Sequence, residues 1–425
     1  MADEQERFVT LAREFNVDQQ LVDLGFDGKP TQERTVALFT GQFGGYWSKD
    51  RDNRPLTREH QLAAMARDVK AWGYDAIGAV TWSDIGIDPV LALGEDGKAY
   101  LTQLVKALHA QGLGVTTVGD HLATQAIAAA IVDEHLLGIM PADVMDGMTK
   151  WGVIGSPALQ ERIRENAALH LMNTARAVTR FKEVAREVVG SELQERLYNP
   201  IVITGFNGSQ TWHLLAGFPP VSAEATERGY QMVAYRLARP LDVLAEHGLK
   251  YGSETHPGEQ NIDLVSAQRL ARTINKPNWG YNGDSTHSVG RGWNYLMYLR
   301  GIGPILNATH LKGAAEQGDG SAAVYSDLDF GNPQRAWDFR SIGRGTKGDA
   351  VILRTLDEIG YKGSVEIEWE DSLFRDAAGA RASALIVRGT MRADEAMVRQ
   401  GLEMYRDVNN YGKAKFDAAF EAKKA

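Results

Sequence analysis

Four side chains in the second half of the chain are of the types that hold a hard or borderline divalent cation: Glu254 in SETHPGE, Asp284 in NGDSTH, His310 in NATHLKG and Glu368 in EIEWED. Three carboxylates and one imidazole, with no thiolate, suit magnesium, manganese, cobalt or zinc rather than a soft ion. Each sits at the end of a run of strand type. A single carboxylate in such a place ordinarily caps the next helix or meets a surface partner, and His310 alone would read as a satisfied core histidine. Four successive strand ends carrying ligand-type side chains instead predict a metal centre.

The strands that would position these residues are read from alternation. In residues 363–371, GSVEIEWED, Val365, Ile367 and Trp369 fall on one side and Ser364, Glu366 and Glu368 on the other. This pattern suits a closed parallel barrel. The apolar row packs on surrounding helices, the other row faces the lumen, and Glu368 reaches the C-terminal mouth where barrel enzymes carry their chemistry. Seven further strands are read at residues 36–43, 76–80, 114–118, 201–205, 251–254, 278–284 and 305–310, alternating with amphipathic helices.

The helices have readable ends. One follows Thr57, carries Leu62, Met65, Ala66, Val69 and Trp72 on one face, and stops at Gly73; another starts at Asp263 and ends with Asn275 ahead of Pro277. A longer helical pattern covers about residues 158–189. The expected fold class is α/β, a (β/α)8 TIM barrel with an N-terminal extension and long βα loops. Residues 1–33 form a helical extension, 34–410 the barrel with 392–408 as its closing helix, and 411–425 a C-terminal tail. The loops 83–98, 120–155 and 313–347 follow strands, so they gather at the catalytic face and are expected to build a lid or substrate pocket.

Other residues have both a functional and a structural reading. His256 and Glu259, just past Glu254, are placed to hydrogen-bond substrate hydroxyls, or His256 braces the loop before Pro257. His121 ends the third strand and would reach substrate or serve the fold. Lys312 shares the inward side with His310 and predicts a substrate contact or a salt bridge to a carboxylate. Glu366 and Lys250 are expected to form an ion pair or water network one layer below the metal. Aromatic residues after the early strands, Trp47, Trp82 and Phe206 among them, suit either the C–H faces of a sugar or ordinary packing.

Composition limits the partners. The 425 residues include no cysteine, which excludes disulfides and zinc-thiolate sites, and the formal charge of −9 disfavours nucleic acid and anionic membranes. No apolar run approaches the roughly 18 residues of a membrane span, and the acidic N-terminus lacks a signal-peptide core. The expectation is a cytoplasmic protein acting on a small neutral molecule, and barrels of this kind are frequently homo-oligomers (dimer or tetramer), with room for a second subunit.

The order Glu254, then Asp284-x-x-His287, then His310-Leu-Lys312, then Gly360-Tyr-x-Gly-x-x-x-x-Glu368 resembles the xylose-isomerase-like sugar (phosphate) isomerase/epimerase superfamily. The resemblance covers roughly residues 35–410 and is strongest from Glu254 to Asp371. It implies one divalent metal ion at Glu254, Asp284, His310 and Glu368, manganese first, with magnesium, cobalt or zinc as alternatives. It also implies that His287 touches substrate and that Glu254 and Glu368 flank it as catalytic acid and base. The implied function is a metal-dependent isomerase or epimerase of a free sugar, keto-sugar or polyol derivative, working by proton abstraction next to a carbonyl. The alternative is a lyase, dehydratase or deglycosidase acting on an oxidised glycoside or inosose by elimination. A phosphorylated substrate would need Arg340 and Arg344, the candidate anion ligands near strands seven and eight.

Overall fold

The computed structural model describes residues 2–50, 52–215, 221–345 and 348–412, and its strands are buried on both faces. Every residue is buried in β1 (Val36–Phe39), β2 (Ala76–Val80), β4 (Val202–Gly205) and β6 (Trp279–Asp284), and nearly every one in β3 (Gly114–Gly119), β5 (Lys250–Glu254) and β7 (Leu306–Leu311). Strands lose both faces to solvent when helices cover the outside and side chains fill the inside. After β8 (Gly313–Glu316) and β9 (Trp337–Arg340), the last strand is β10 (Val365–Ile367). All but β8 and β9 close into one parallel barrel, in the order β1-β10-β7-β6-β5-β4-β3-β2.

The helices form where the sequence marks their ends. Arg58–Ala71 is capped by the Thr57 hydroxyl, and Leu264–Ile274 opens on a capping box between Asp263 and Ser266 and ends at Asn275 in the left-handed region. The long third crossover is Pro157–Val189, capped by Ser156.

Several boundaries differ from expectation. β1 stops at Phe39 and turns into a short 3-10 segment, Gly41–Phe43, which carries Gln42 over the mouth. The eighth unit closes with Asp376–Arg392, and Glu395–Glu403 follows as a separate helix, where one helix over 392–408 was expected. The buried face of Asp376–Arg392 is largely small, with Gly379, Ala380, Ala382, Ser383 and Ala384, so its apolar periodicity is faint. The N-terminal extension is two helices, Ala2–Glu14 and Val17–Asp23. It packs on the end of the chain through Phe8 against Tyr411 and Phe15 against Tyr405, so buried Tyr411 belongs to the barrel's outer layer rather than to a tail. The expected tail over 413–425 lies outside the described residues.

Inside the barrel, Glu366 reaches across the lumen and accepts two contacts from Thr117 Oγ1, at 2.6 and 2.8 Å. A Cβ at Gly78 would stand 1.8 Å from Glu366 Oε1, so a side chain at this strand position would displace that carboxylate. The expected Glu366–Lys250 pair does not form: Lys250 is the first residue of β5 and is exposed at the opposite end.

Candidate metal centre

Strand register brings the four candidate ligands to one level. Asp284 at the end of β6 is the Cα partner of His310 on β7, and His310 is in turn the partner of Glu366 on β10, two residues before Glu368. Glu254 ends β5, level with Asn282. One ligand atom from each of Glu254, Asp284, His310 and Glu368 lies within 4.8 Å of the others, and all four residues are buried. His310 Nδ1 and Asp284 Oδ2 make no hydrogen bond. Three carboxylates and an imidazole that face one another in this way fit a divalent cation.

The surroundings fix each ligand. Glu254 Oε1 lies 2.9 Å from His287 Nε2, while Oε2 lies 3.2 Å from His310 Nδ1, 3.3 Å from His121 Nε2, and accepts from Asn282 Nδ2 at 3.1 Å. Burial raises the Glu254 carboxyl, but the three histidines beside it hold it well below the usual carboxylate range. Asp284 Oδ1 accepts from the Thr286 amide and hydroxyl, which leaves Oδ2 for the cluster. Glu368 Oε1 accepts from Gln42 Nε2 at 2.8 Å, and Oε2 lies 2.8 Å from Lys312 Nζ. Burial again opposes ionisation, and Lys312 and His310 overcome it, so the Glu368 carboxyl is held low. Despite burial, Glu368, Glu254 and Glu366 draw His310 well above the usual imidazole range, a demand for positive charge that a cation can meet.

A family model described as "Xylose isomerase-like TIM barrel" matches residues 66–408. The chain belongs to this family. No curated protein matches its sequence. Among solved structures, a probable 3-DHS dehydratase from Bacillus anthracis superposes with a TM-score of 0.52 at 13% identity, covering 84% of this chain and 99% of that one. A xylose isomerase-like TIM barrel protein from Mycobacterium smegmatis, in complex with magnesium, gives a TM-score of 0.51 at 13% identity over 86% and 98%. At these identities the likeness establishes the fold.

In this xylose isomerase-like barrel Glu254 and Glu368 open onto a cavity of about 1060 Å³, which His121, His256, His287 and Lys312 also line. His256 sits 4.3 Å from the His287 ring and 4.8 Å from Phe206, and its Nδ1 contacts the Pro257 carbonyl at 2.5 Å, so it lines the cavity and braces its loop at once. Burial and the neighbouring His287 push its pKa down to about 3, which keeps the ring neutral. Lys312 salt-bridges Glu368 and Glu370 while remaining on the cavity wall.

Two expected substrate residues are elsewhere. Glu259 is buried behind the wall, where Oε2 accepts from the backbone amides of Asn207 and Gly208 at 2.6 and 2.7 Å; its carboxylate shapes the loop after β4. Trp47 is packed between Phe43 and Trp72, and its Nε1 donates to Asp68 Oδ2 at 3.1 Å. The side chain that approaches Glu368 from that loop is Gln42. Arg340 and Arg344 are buried against Asp338 and Asp371, which leaves them unsuited to hold a phosphate.

Sequence reasoning missed Gln42 and Glu370. Glu370 Oε1 accepts from Gln42 Nε2 at 3.1 Å and Oε2 from Lys312 Nζ at 2.8 Å; burial and the adjacent Glu368 push its pKa up to about 7 against the pull of Lys312. Continued alternation beyond Glu368 would have placed Glu370 on the same inward row. Also missed was the hairpin β8–β9 within 313–347, a segment whose glycine, aspartate and serine content reads as loop.

Proposed function

We propose that this barrel is a divalent-metal-dependent isomerase or epimerase of an unphosphorylated keto-sugar or polyol derivative, working by proton abstraction next to a carbonyl. The observation that supports it most is that Glu254 and Glu368, both kept ionised, stand in one buried cluster with Asp284 and His310 at the floor of the cavity. A bound magnesium, manganese, cobalt or zinc ion would polarise the carbonyl. Glu254, aligned by His121, His287 and Asn282, accepts the proton on one side. On the other side Glu368 is tied through Gln42 and Lys312 to Glu370, whose raised pKa lets it hold a proton near neutrality and return it. His256 and His287 face substrate hydroxyls from the wall, with Phe206 beside them.

Elimination from an oxidised glycoside is the second reading, and the cavity volume favours it. A space of about 1060 Å³ lies just above the ~300–1,000 Å³ that encloses drug-sized ligands, well beyond what one sugar ring requires.

The test is turnover in deuterated water with the metal-loaded protein, offered ketoses and 3-keto glycosides. Deuterium beside the carbonyl of a sugar that keeps all its atoms supports isomerisation, and release of a fragment supports elimination. Unimpaired turnover by Glu368→Gln at full metal occupancy would remove the assignment.

A further inference from the structure

The cavity has two chemically different ends. At the floor lie carboxylates and imidazoles; toward the opening the segment 313–347 supplies an aromatic wall. Phe339 begins it, with its ring 4.5 Å below Lys312 Nζ and its centroid 6.4 Å from His287. Phe330 stacks on Phe339 at 5.2 Å and 17°, Trp337 meets Phe339 edge-on at 4.9 Å, and Tyr325 continues outward to Trp212. Phe330 is 36% exposed and Tyr325 56% exposed, although both line the cavity, so their rings present apolar surface to whatever enters. Arg291 and Arg335 lie over Trp337 and Phe330, at 4.5 and 4.1 Å. Their guanidinium groups already donate to the carbonyls of His287, Leu328 and Trp337.

From this wall we infer the substrate class: a glycoside whose sugar ring occupies the carboxylate end and whose flat aromatic aglycone lies along Phe330, Trp337 and Tyr325. This rests on the keto-sugar reading of the floor and adds to it what the sugar is attached to. The hairpin register puts Trp337 and Phe339 on the same side of β9, so the strand holds the wall beside the metal ligands rather than leaving it to a loose loop. The aromatic surface left exposed, chiefly on Tyr325 and at Phe330, gains from a planar apolar partner through edge-on or offset contact and removal of apolar area from water. A second sugar would call for a fan of hydrogen-bonding groups. At this end the wall offers Ser326 and two arginines that already donate to backbone carbonyls, Arg291 through Nη1 and Arg335 through Nη1 and Nε.

The test is calorimetric binding of phenyl β-D-glucopyranoside, methyl β-D-glucopyranoside and cellobiose to the whole protein, with and without manganese. The expected result is phenyl glycoside binding at least tenfold tighter than methyl glycoside and tighter than cellobiose. In the double variant Tyr325→Ala/Phe330→Ala that preference falls to threefold or less, with metal content as the check on folding. Phenyl glycoside binding no tighter than methyl, absence of binding included, overturns the inference, as does cellobiose equalling it or a preference that survives in the double variant. If the protein still exchanges deuterium with a ketose, only this inference has failed; if no metal binds yet the aryl preference holds, the failure lies with the proposed chemistry.

Discussion

Lys312 Nζ lies 2.8 Å from Glu368 Oε2, and the same ammonium is 3.4 Å from Asp284 Oδ2. Two of the four residues that fit a metal therefore already share an internal cation, which Glu370 anchors from the other side at 2.8 Å. The lysine offsets part of the charge of the ligand ring and keeps Glu368 turned toward the cluster.

Removing that cation should weaken the fold. Lys312→Met leaves Glu368 and Glu370 buried with less compensation and is expected to cost on the order of 3–5 kcal/mol in metal-free protein. Added manganese should restore part of the loss. Urea denaturation with chelator and with manganese reads both values, and an equal loss in the two conditions would contradict the shared-cation account.

Gly78 is expected to be intolerant of a side chain. Gly78→Ala puts a Cβ 1.8 Å from Glu366 Oε1 and 2.7 Å from Thr117 Oγ1, and overpacking of this kind costs ~1–3 kcal/mol. Shortening the intruding residue, as Glu366→Asp, should recover stability in the double variant. Additive losses in a double-mutant cycle would show that the two positions do not meet.

Stability should also depend on pH through His170 on the long third helix. Its ring lies 3.2 Å from Asp120 Oδ1 and 2.7 Å from Asp143 Oδ2, tying the long third helix to the mouth of β3. Burial lowers its pKa, but the two carboxylates win and raise it to about 10. A raised histidine stabilises fully below its unfolded value near 6.5 and loses that contribution as pH climbs through the folded value. His170→Gln is therefore expected to cost about 3 kcal/mol below pH 6.5 and progressively less toward pH 10. Denaturation midpoints of both proteins across that range test it, and a penalty constant with pH would refute the charged pair.

Trp47 gives a contrasting case. Trp47→Leu should lose about 2–3 kcal/mol by opening the stack with Phe43 and Trp72. Metal stoichiometry and the affinity for a bound sugar should stay at wild-type values. A drop in sugar affinity without a drop in metal content would return this residue to the pocket.

Much of the barrel is written in local pattern. Period-two rows ending in Glu254, Asp284, His310 and Glu368 can be read one strand at a time, because alternation is a property of each strand alone. Helix ends at Thr57, Asp263 and Asn275 are equally local, since a cap bonds within one turn of itself. The hairpin β8–β9 was illegible for the opposite reason: its pairing spans more than twenty residues of flexible composition, and only the partner strand shows that Trp337 and Phe339 are extended.

The sequence by itself determined which residues could hold a cation and that a parallel barrel would bring them to one mouth, because residue type and period are fixed by the chain. Only the tertiary structure decided which neighbours the ligands acquire. It turned Glu259 and Trp47 away from the cavity, set Gln42 and Glu370 beside Glu368, and replaced the expected Lys250 by Thr117 as the partner of Glu366. Those outcomes depend on which strand stands across the lumen and how a loop folds back over it, distances that no spacing along the chain encodes.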